Sequence, residues 1–140
     1  MSKIAVVYWS GTGNTEAMAR AVTDGAKAAG GEAELLRAAA FDASMLPGLD
    51  GVAFGCPAMG AEELEDTEFE PMFSACRDEL KGKRVALFGS YGWGSGDWMK
   101  IWEEGCMESG IDLVCDSVIC CESPDAAALA ACRALGAALV

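Results

Sequence analysis

Ser10, Thr12, Asn14 and Thr15 carry hydroxyl or amide groups, alternate with Gly11 and Gly13, and follow Trp9 between an apolar run and a stretch of helix-forming residues. A strand that turns on glycines into a helix aims free backbone N–H groups and a partial positive charge into the turn. Side chains of this kind add neutral donors, so the segment suits a phosphate.

What the segment lacks narrows the ligand. A triphosphate loop of the form GxxxxGK[ST] needs a glycine five residues after Gly11 and then a lysine, where the sequence has Glu16 and Ala17. A dinucleotide fingerprint, GxGxxG, needs a glycine in place of Glu16. No Lys or Arg lies between Lys3 and Arg20. The remaining reading is one terminal monophosphate held by dipoles and hydrogen bonds.

Two further segments are built to surround a ligand. Cys56-Pro57-Ala58-Met59-Gly60-Ala61-Glu62 forms a small, permissive turn that runs into acidic residues. In Ser90-Tyr91-Gly92-Trp93-Gly94, glycines separate a Tyr and a Trp from regular structure. Aromatic rings on glycine-rich loops suit a flat partner, because the backbone is free to bring an indole face against a conjugated ring. Trp98 and Trp102, four residues apart on a predicted helix, read instead as packing residues.

These segments need a scaffold that brings them together. Apolar runs predict strands over 3–8, 32–36, 50–55, 83–89 and 112–119. Helical patterns begin at about Thr15 and cover 70–80, 97–108 and 124–139, while 38–47 is compatible with a short helix or none. This alternation predicts an α/β fold, a five-stranded parallel sheet with helices on both faces. The central strands are nearly unbroken apolar runs, as strands buried on both faces should be. In such sheets ligands bind outside the carboxyl ends of the strands, where the loops after strands one, three and four converge.

Composition sets the outer limits. The chain has 140 residues, 52% of them hydrophobic, enough for one core and a single domain over 1–140. A net charge of −12 disfavours nucleic acid and anionic membrane surfaces and favours partners with basic surfaces. The first strand begins at residue 3, which leaves no secretory pattern, and no stretch is long and apolar enough for membrane insertion, so a cytoplasmic location is expected. Seven cysteines form no CxxC pair and there is no histidine, so the pattern of zinc sites and of His-dependent nucleophilic triads is missing. The cysteines read as small buried apolar residues.

Together, Trp9-Ser-Gly-Thr-Gly-Asn-Thr15, Gly55-Cys-Pro-Ala-Met-Gly-Ala-Glu62 and Gly89-Ser-Tyr-Gly-Trp-Gly94 resemble the flavodoxin family, in particular its short-chain form from anaerobic bacteria. The acidic segment 64–71 and an uninterrupted last strand extend the resemblance over the whole chain. It implies a doubly wound flavodoxin-like sheet in the order 2-1-3-4-5, with non-covalently bound FMN. It further implies a one-electron carrier with no substrate of its own, so no catalytic residue is expected, and the cysteine pattern predicts no metal. The acidic residues predict a low-potential donor shuttling between semiquinone and hydroquinone to reduce redox partner proteins, and a ring edge that must remain reachable predicts a monomer. By resemblance the FMN phosphate falls to Ser10, Thr12, Gly13, Asn14 and Thr15, with Trp9 and Gly11 completing the cofactor-binding residues of that loop. The ring falls between Met59 and Trp93, with Gly60 and Glu62 at its N5 and N3 edge and the amides near Gly92 and Trp93 at its O2 edge. Pro57, Ala58 and Ala61 complete the cofactor-binding residues of the second loop, and Ser90, Tyr91 and Gly94 those of the third. The Gly60–Ala61 peptide is the expected point of rearrangement on reduction.

Two positions depart from the family pattern. Pro57 stands where relatives often carry a Ser that can touch phosphate, and Ala61 where they commonly carry Asp or Asn. Residues 62–79 contain eight carboxylates against one cation, Arg77. A carboxylate about 10 Å from the ring would disfavour an added electron by roughly 0.4–1.7 kcal/mol, about 20–70 mV. The same fold also serves small FMN-dependent reductases and maturation partners of metalloenzymes. Phospho-accepting receiver domains are disfavoured, since Trp9-Ser10 and Cys56-Pro57 occupy the places of their acidic residues.

Overall fold

Residues 3–8 form the first strand, β1 (Lys3–Tyr8), which is buried at every position after Lys3. The structure is a computed structural model that describes residues 2–59, 63–92 and 96–140. β1 pairs in parallel with β2 (Glu32–Arg37) on one side and β3 (Gly51–Gly55) on the other; β3 pairs with β4 (Arg84–Tyr91), and β4 with β5 (Val118–Cys121). The resulting order, β2-β1-β3-β4-β5, is the one expected.

The period-2 alternation of the strands divides the interior into two layers. Ala5, Val7, Val52, Phe54, Val85 and Leu87 face one core, covered by α2 (Phe69–Cys76) and α3 (Asp97–Glu108). Ile4, Val6, Ala53, Ala86 and Phe88 face the other, covered by α1 (Asn14–Ala28) and α4 (Ala126–Ala138). The first core is aromatic: Phe54 meets Phe41, Phe69 and Phe73 edge-on, and Trp102 meets Phe69 and Phe73 in the same manner. Trp98 and Trp102 are buried there, as their helical spacing predicts.

On the other face α1 and α4 touch backbone to backbone. A Cβ on Gly136 would lie 2.0 Å from the Val22 carbonyl oxygen, and one on Gly25 would lie 2.0 Å from that of Arg133. Gly136→Ala is therefore expected to destabilise the protein by about 2 kcal/mol, because the helices must separate to admit a methyl group. Gly48→Ala, which meets nothing within 4 Å, should stay within about 0.5 kcal/mol of the parent. Urea denaturation of the two variants makes the comparison.

Several boundaries differ from the sequence reading for local reasons. α4 starts two residues later than predicted because the Asp125 carboxylate accepts the Ala128 N–H at 2.8 Å and caps the helix. α2 passes into a 3₁₀ turn at Arg77–Glu79. The 38–47 segment holds 3₁₀ turns at Ala38–Ala40 and Ala43–Gly48, the second capped by Asp42. The largest correction concerns the last strand, which does not run unbroken over 112–119. Leu113 makes an isolated bridge to Val85, and pairing resumes only at Val118 opposite Phe88. Four residues, 114–117, thus face two, 86–87, which interrupts the ladder, and the Ser117 hydroxyl is bonded to Glu103 at 2.7 Å.

Candidate functional site

The sheet ladder continues past the strand ends and ties the glycine-rich loops together. Trp9 N–H donates to Gly55 O at 3.0 Å, Ala58 N–H to Ser90 O at 3.0 Å, and Glu122 N–H to Tyr91 O at 2.7 Å. The loops after β1, β3, β4 and β5 consequently leave the carboxyl edge at fixed spacing. They enclose a cleft of about 370 Å³.

One end of the cleft is the start of α1. Gly13 is its N-cap, with φ +94°, a left-handed conformation that glycine adopts without steric cost. No side chain caps the helix, and the first bond back into it is Ala17 N–H to Gly13 O at 3.0 Å. The Ser10 hydroxyl accepts the Gly13 N–H at 3.0 Å and shapes the turn. Thr15 is buried, its hydroxyl 2.8 Å from that of Ser90, which pins the first turn of α1 to the end of β4. An uncapped helix start with a hydroxyl-rich approach fits a phosphate group.

Trp9, Gly11, Thr12 and Asn14 line this end of the cleft. Pro57, Ala58 and Met59 line the next wall, with Met59 exposed and bridged in antiparallel fashion to Glu63. Ser90, Tyr91 and Gly92 form the third wall, where the half-buried Tyr91 ring packs 5.5 Å from that of Trp98. Gly60, Ala61, Glu62, Trp93 and Gly94 lie outside the described residues.

The sequence reading misses Glu122, which also lines the cleft and holds φ +59°. Strand five ends at Cys121, two residues later than expected, so its following loop joins the carboxyl edge. Asn14 is tied to that loop by the Ser123 hydroxyl at 3.3 Å.

The acidic segment after the second loop has a structural role that its composition does not suggest. Glu65 is buried and its carboxylate accepts the N–H groups of Thr67 at 2.9 Å, Glu68 at 2.7 Å and Phe69 at 2.9 Å, as well as the Thr67 hydroxyl. Burial works against its charge, but these donors outweigh burial and hold the carboxyl down at about 2. Its own N–H reaches Cys56 Sγ at 3.4 Å. Burial pushes the Cys56 thiol up to about 12, so it is a protonated core group at neutral pH. Cys76, Cys106 and Cys132 are also buried, whereas Cys115 and Cys120 are half-buried and Cys121 is exposed. The reading of all seven as buried therefore holds for four.

A second cavity, about 360 Å³, lies between α2 and α3 against Phe73, Ile101 and Trp102, and holds none of the residues expected to bind an anion. Among the described residues no helix is long and apolar enough to cross a membrane.

The family model described as Flavodoxin matches residues 6–136. A flavodoxin of Megasphaera elsdenii is 45% identical over 135 residues, covering 96% of both chains. One from Clostridium beijerinckii is 42% identical over 122 residues, 87% of this chain and 88% of that one. The solution structure of two-electron reduced Megasphaera elsdenii flavodoxin superimposes with a TM-score of 0.88 at 46% identity, covering 97% of each chain. The crystal structure of oxidised flavodoxin 1 from Bacillus cereus gives 0.85 at 28% identity, covering 99% of this chain and 97% of that one.

Proposed function

We propose, from the premise that this chain belongs to the flavodoxin family of FMN-binding electron carriers, that its cleft is the FMN site and that the surrounding residues tune it for low-potential transfer. The chain is an electron-transfer protein that hands electrons to redox partner proteins rather than an enzyme with a substrate of its own. The observation that carries the site assignment is the uncapped start of α1 opening into a cleft walled by the converging loops.

In this reading the phosphate is held by Ser10, Thr12, Asn14 and the backbone around Gly11, Gly13 and Thr15, with Trp9 flanking them. Met59 and Trp93 flank the ring, while Gly60, Ala61 and Glu62 serve one edge and Ser90, Tyr91, Gly92 and Gly94 the other. Pro57 has no N–H and no hydroxyl, so it shapes the cleft by shape alone, and Ala58 is fixed by its bond to Ser90 O. Bound FMN supplies two successive one-electron couples. The protein's part is to hold the cofactor with neutral donors, so that no cation in the 10–15 loop offsets the acidic residues nearby. That field opposes added negative charge.

A net charge of −12 supports partners with basic docking surfaces, attracted most strongly at low salt. A monomer keeps the cleft reachable, and a single domain over 1–140 in the cytoplasm is the setting that fits a carrier of this kind.

The deciding experiment is anaerobic titration of cofactor-free protein with FMN followed by a spectroscopic redox titration. Binding of one FMN per chain is expected, with the lower-potential couple more negative than in free FMN. A protein that takes up no FMN, or whose bound FMN keeps the potentials of the free cofactor, would overturn the proposal.

A further inference from the structure

Trp9 opens the first loop and lines the cleft, and its indole N–H donates to Glu68 Oε1 at 2.9 Å, across 59 positions of sequence. The far side of the same indole lies against the turn: a Cβ on Gly11 would fall 3.2 Å from the Trp9 ring. Glu68 is itself held, because its N–H is bonded to the buried Glu65 carboxylate at 2.7 Å. A continuous chain of contacts therefore runs from the anchored turn before α2, through Glu68 and Trp9, to Gly11 in the middle of the anion loop.

We infer that Glu68 is a positioning residue for the cofactor site: its carboxylate fixes the Trp9 indole, and the indole in turn sets the shape of the loop at Gly11 that receives the phosphate. This rests on the reading that the cleft holds FMN. It assigns Glu68 a geometric role in place of a purely electrostatic one, and the two roles differ in sign. As a negative charge near a phosphate site, Glu68 would weaken FMN binding, so any neutralising substitution would tighten it. As the acceptor that holds Trp9, Glu68 strengthens binding, and a substitution is harmful only when it removes the acceptor oxygen.

Glu68→Ala removes both charge and acceptor, whereas Glu68→Gln removes the charge and keeps a carbonyl oxygen for the indole. Asp66→Asn, on a neighbouring exposed position, provides a neutralisation away from the indole. FMN titration of the three variants and the parent, with the Trp9 indole ¹⁵N–¹H resonance followed in both the cofactor-free and loaded proteins, separates the alternatives. Expected are an FMN affinity about tenfold weaker in Glu68→Ala, with a displaced Trp9 indole signal already in the cofactor-free protein. Glu68→Gln and Asp66→Asn should bind within about twofold of the parent, with the Trp9 signal in place. Equal behaviour of Glu68→Ala and Glu68→Gln, or tighter binding by both, would overturn the positioning role while leaving the functional reading intact. Failure of the parent to bind FMN would overturn both.

Discussion

Glu65→Ala is expected to lose about 3 kcal/mol of stability at pH 7 and to lose it in a pH-dependent way. The carboxyl is held at about 2 in the folded protein against an ordinary value of 4.5, and the residue is only 4% exposed. A folded-state value below the unfolded one means that folding favours the ionised form. The contribution is thus complete above about pH 4.5 and disappears as pH falls towards 2. A displacement of this size corresponds to about 3 kcal/mol, consistent with orphaning the part-buried N–H groups of Thr67 and Glu68 and the buried N–H of Phe69. Urea denaturation of the cofactor-free parent and variant between pH 7 and pH 2.5 should give stability curves that are widely separated at neutral pH and converge in acid. Parallel curves, or a loss below about 1 kcal/mol, would refute the assignment. Glu65→Gln should fall between them, since an amide presents one acceptor oxygen to donors that now occupy two. The redox consequence is separate: Glu65 neutralises local backbone dipoles, so the exposed Glu63 and Asp66 are the cleaner positions for testing the electrostatic effect on potential.

The contrast between Glu65 and the rest of the site shows what the residue pattern reveals. The bounds of β1 and α3 and the strand order follow from apolar runs and helical spacing, because burial on both faces of a parallel sheet leaves an uninterrupted signature. The turn from Trp9 into α1 is legible because its conformation is dictated locally by Gly13 and the start of α1. Contacts between distant positions leave no such trace. Nothing near Thr15 announces Ser90, and nothing near Trp9 announces Glu68. The break in the last strand is hidden because Leu113, Val114 and Val118 read as one apolar segment, although the two pairings with β4 are separated by a bulge. Placing the strand end too early conceals Glu122 in turn. Glu65 is obscured for another reason: in a run of carboxylates its composition is that of a solvated face, and only its burial and its donors distinguish a helix anchor from a surface charge.

Gly89→Ala should have the widest effect, because it strikes the fold and the cleft at one point. Gly89 lies near the end of β4, paired with Ile119 of β5, and a Cβ there would stand 2.2 Å from the Cys56 carbonyl oxygen and 3.0 Å from the Trp98 ring. Neither neighbour is free to withdraw. The Cys56 oxygen accepts the Trp98 indole N–H at 3.3 Å, and Cys56 N–H donates to Phe88 O at 3.2 Å. A methyl group must therefore force β3 and β4 apart where their loops diverge, breaking the Ala58 to Ser90 bond that sets the distance between the second and third walls of the cleft. A stability loss of about 3 kcal/mol or more is expected from this overpacking, with FMN affinity falling by about a hundredfold or more as the walls lose their register. Gly92→Ala, further along the same loop and with nothing within 4 Å of the added carbon, should leave stability within about 0.5 kcal/mol of the parent. Urea denaturation of the cofactor-free variants, paired with FMN titration of Gly89→Ala under conditions where it remains folded, measures both consequences. If Gly89→Ala retained parental stability and affinity, the close approach of β4 to the Cys56 carbonyl would not be what fixes the cleft. A stability loss with unchanged affinity would place the strain in the sheet alone and leave the walls to be set by the loops themselves.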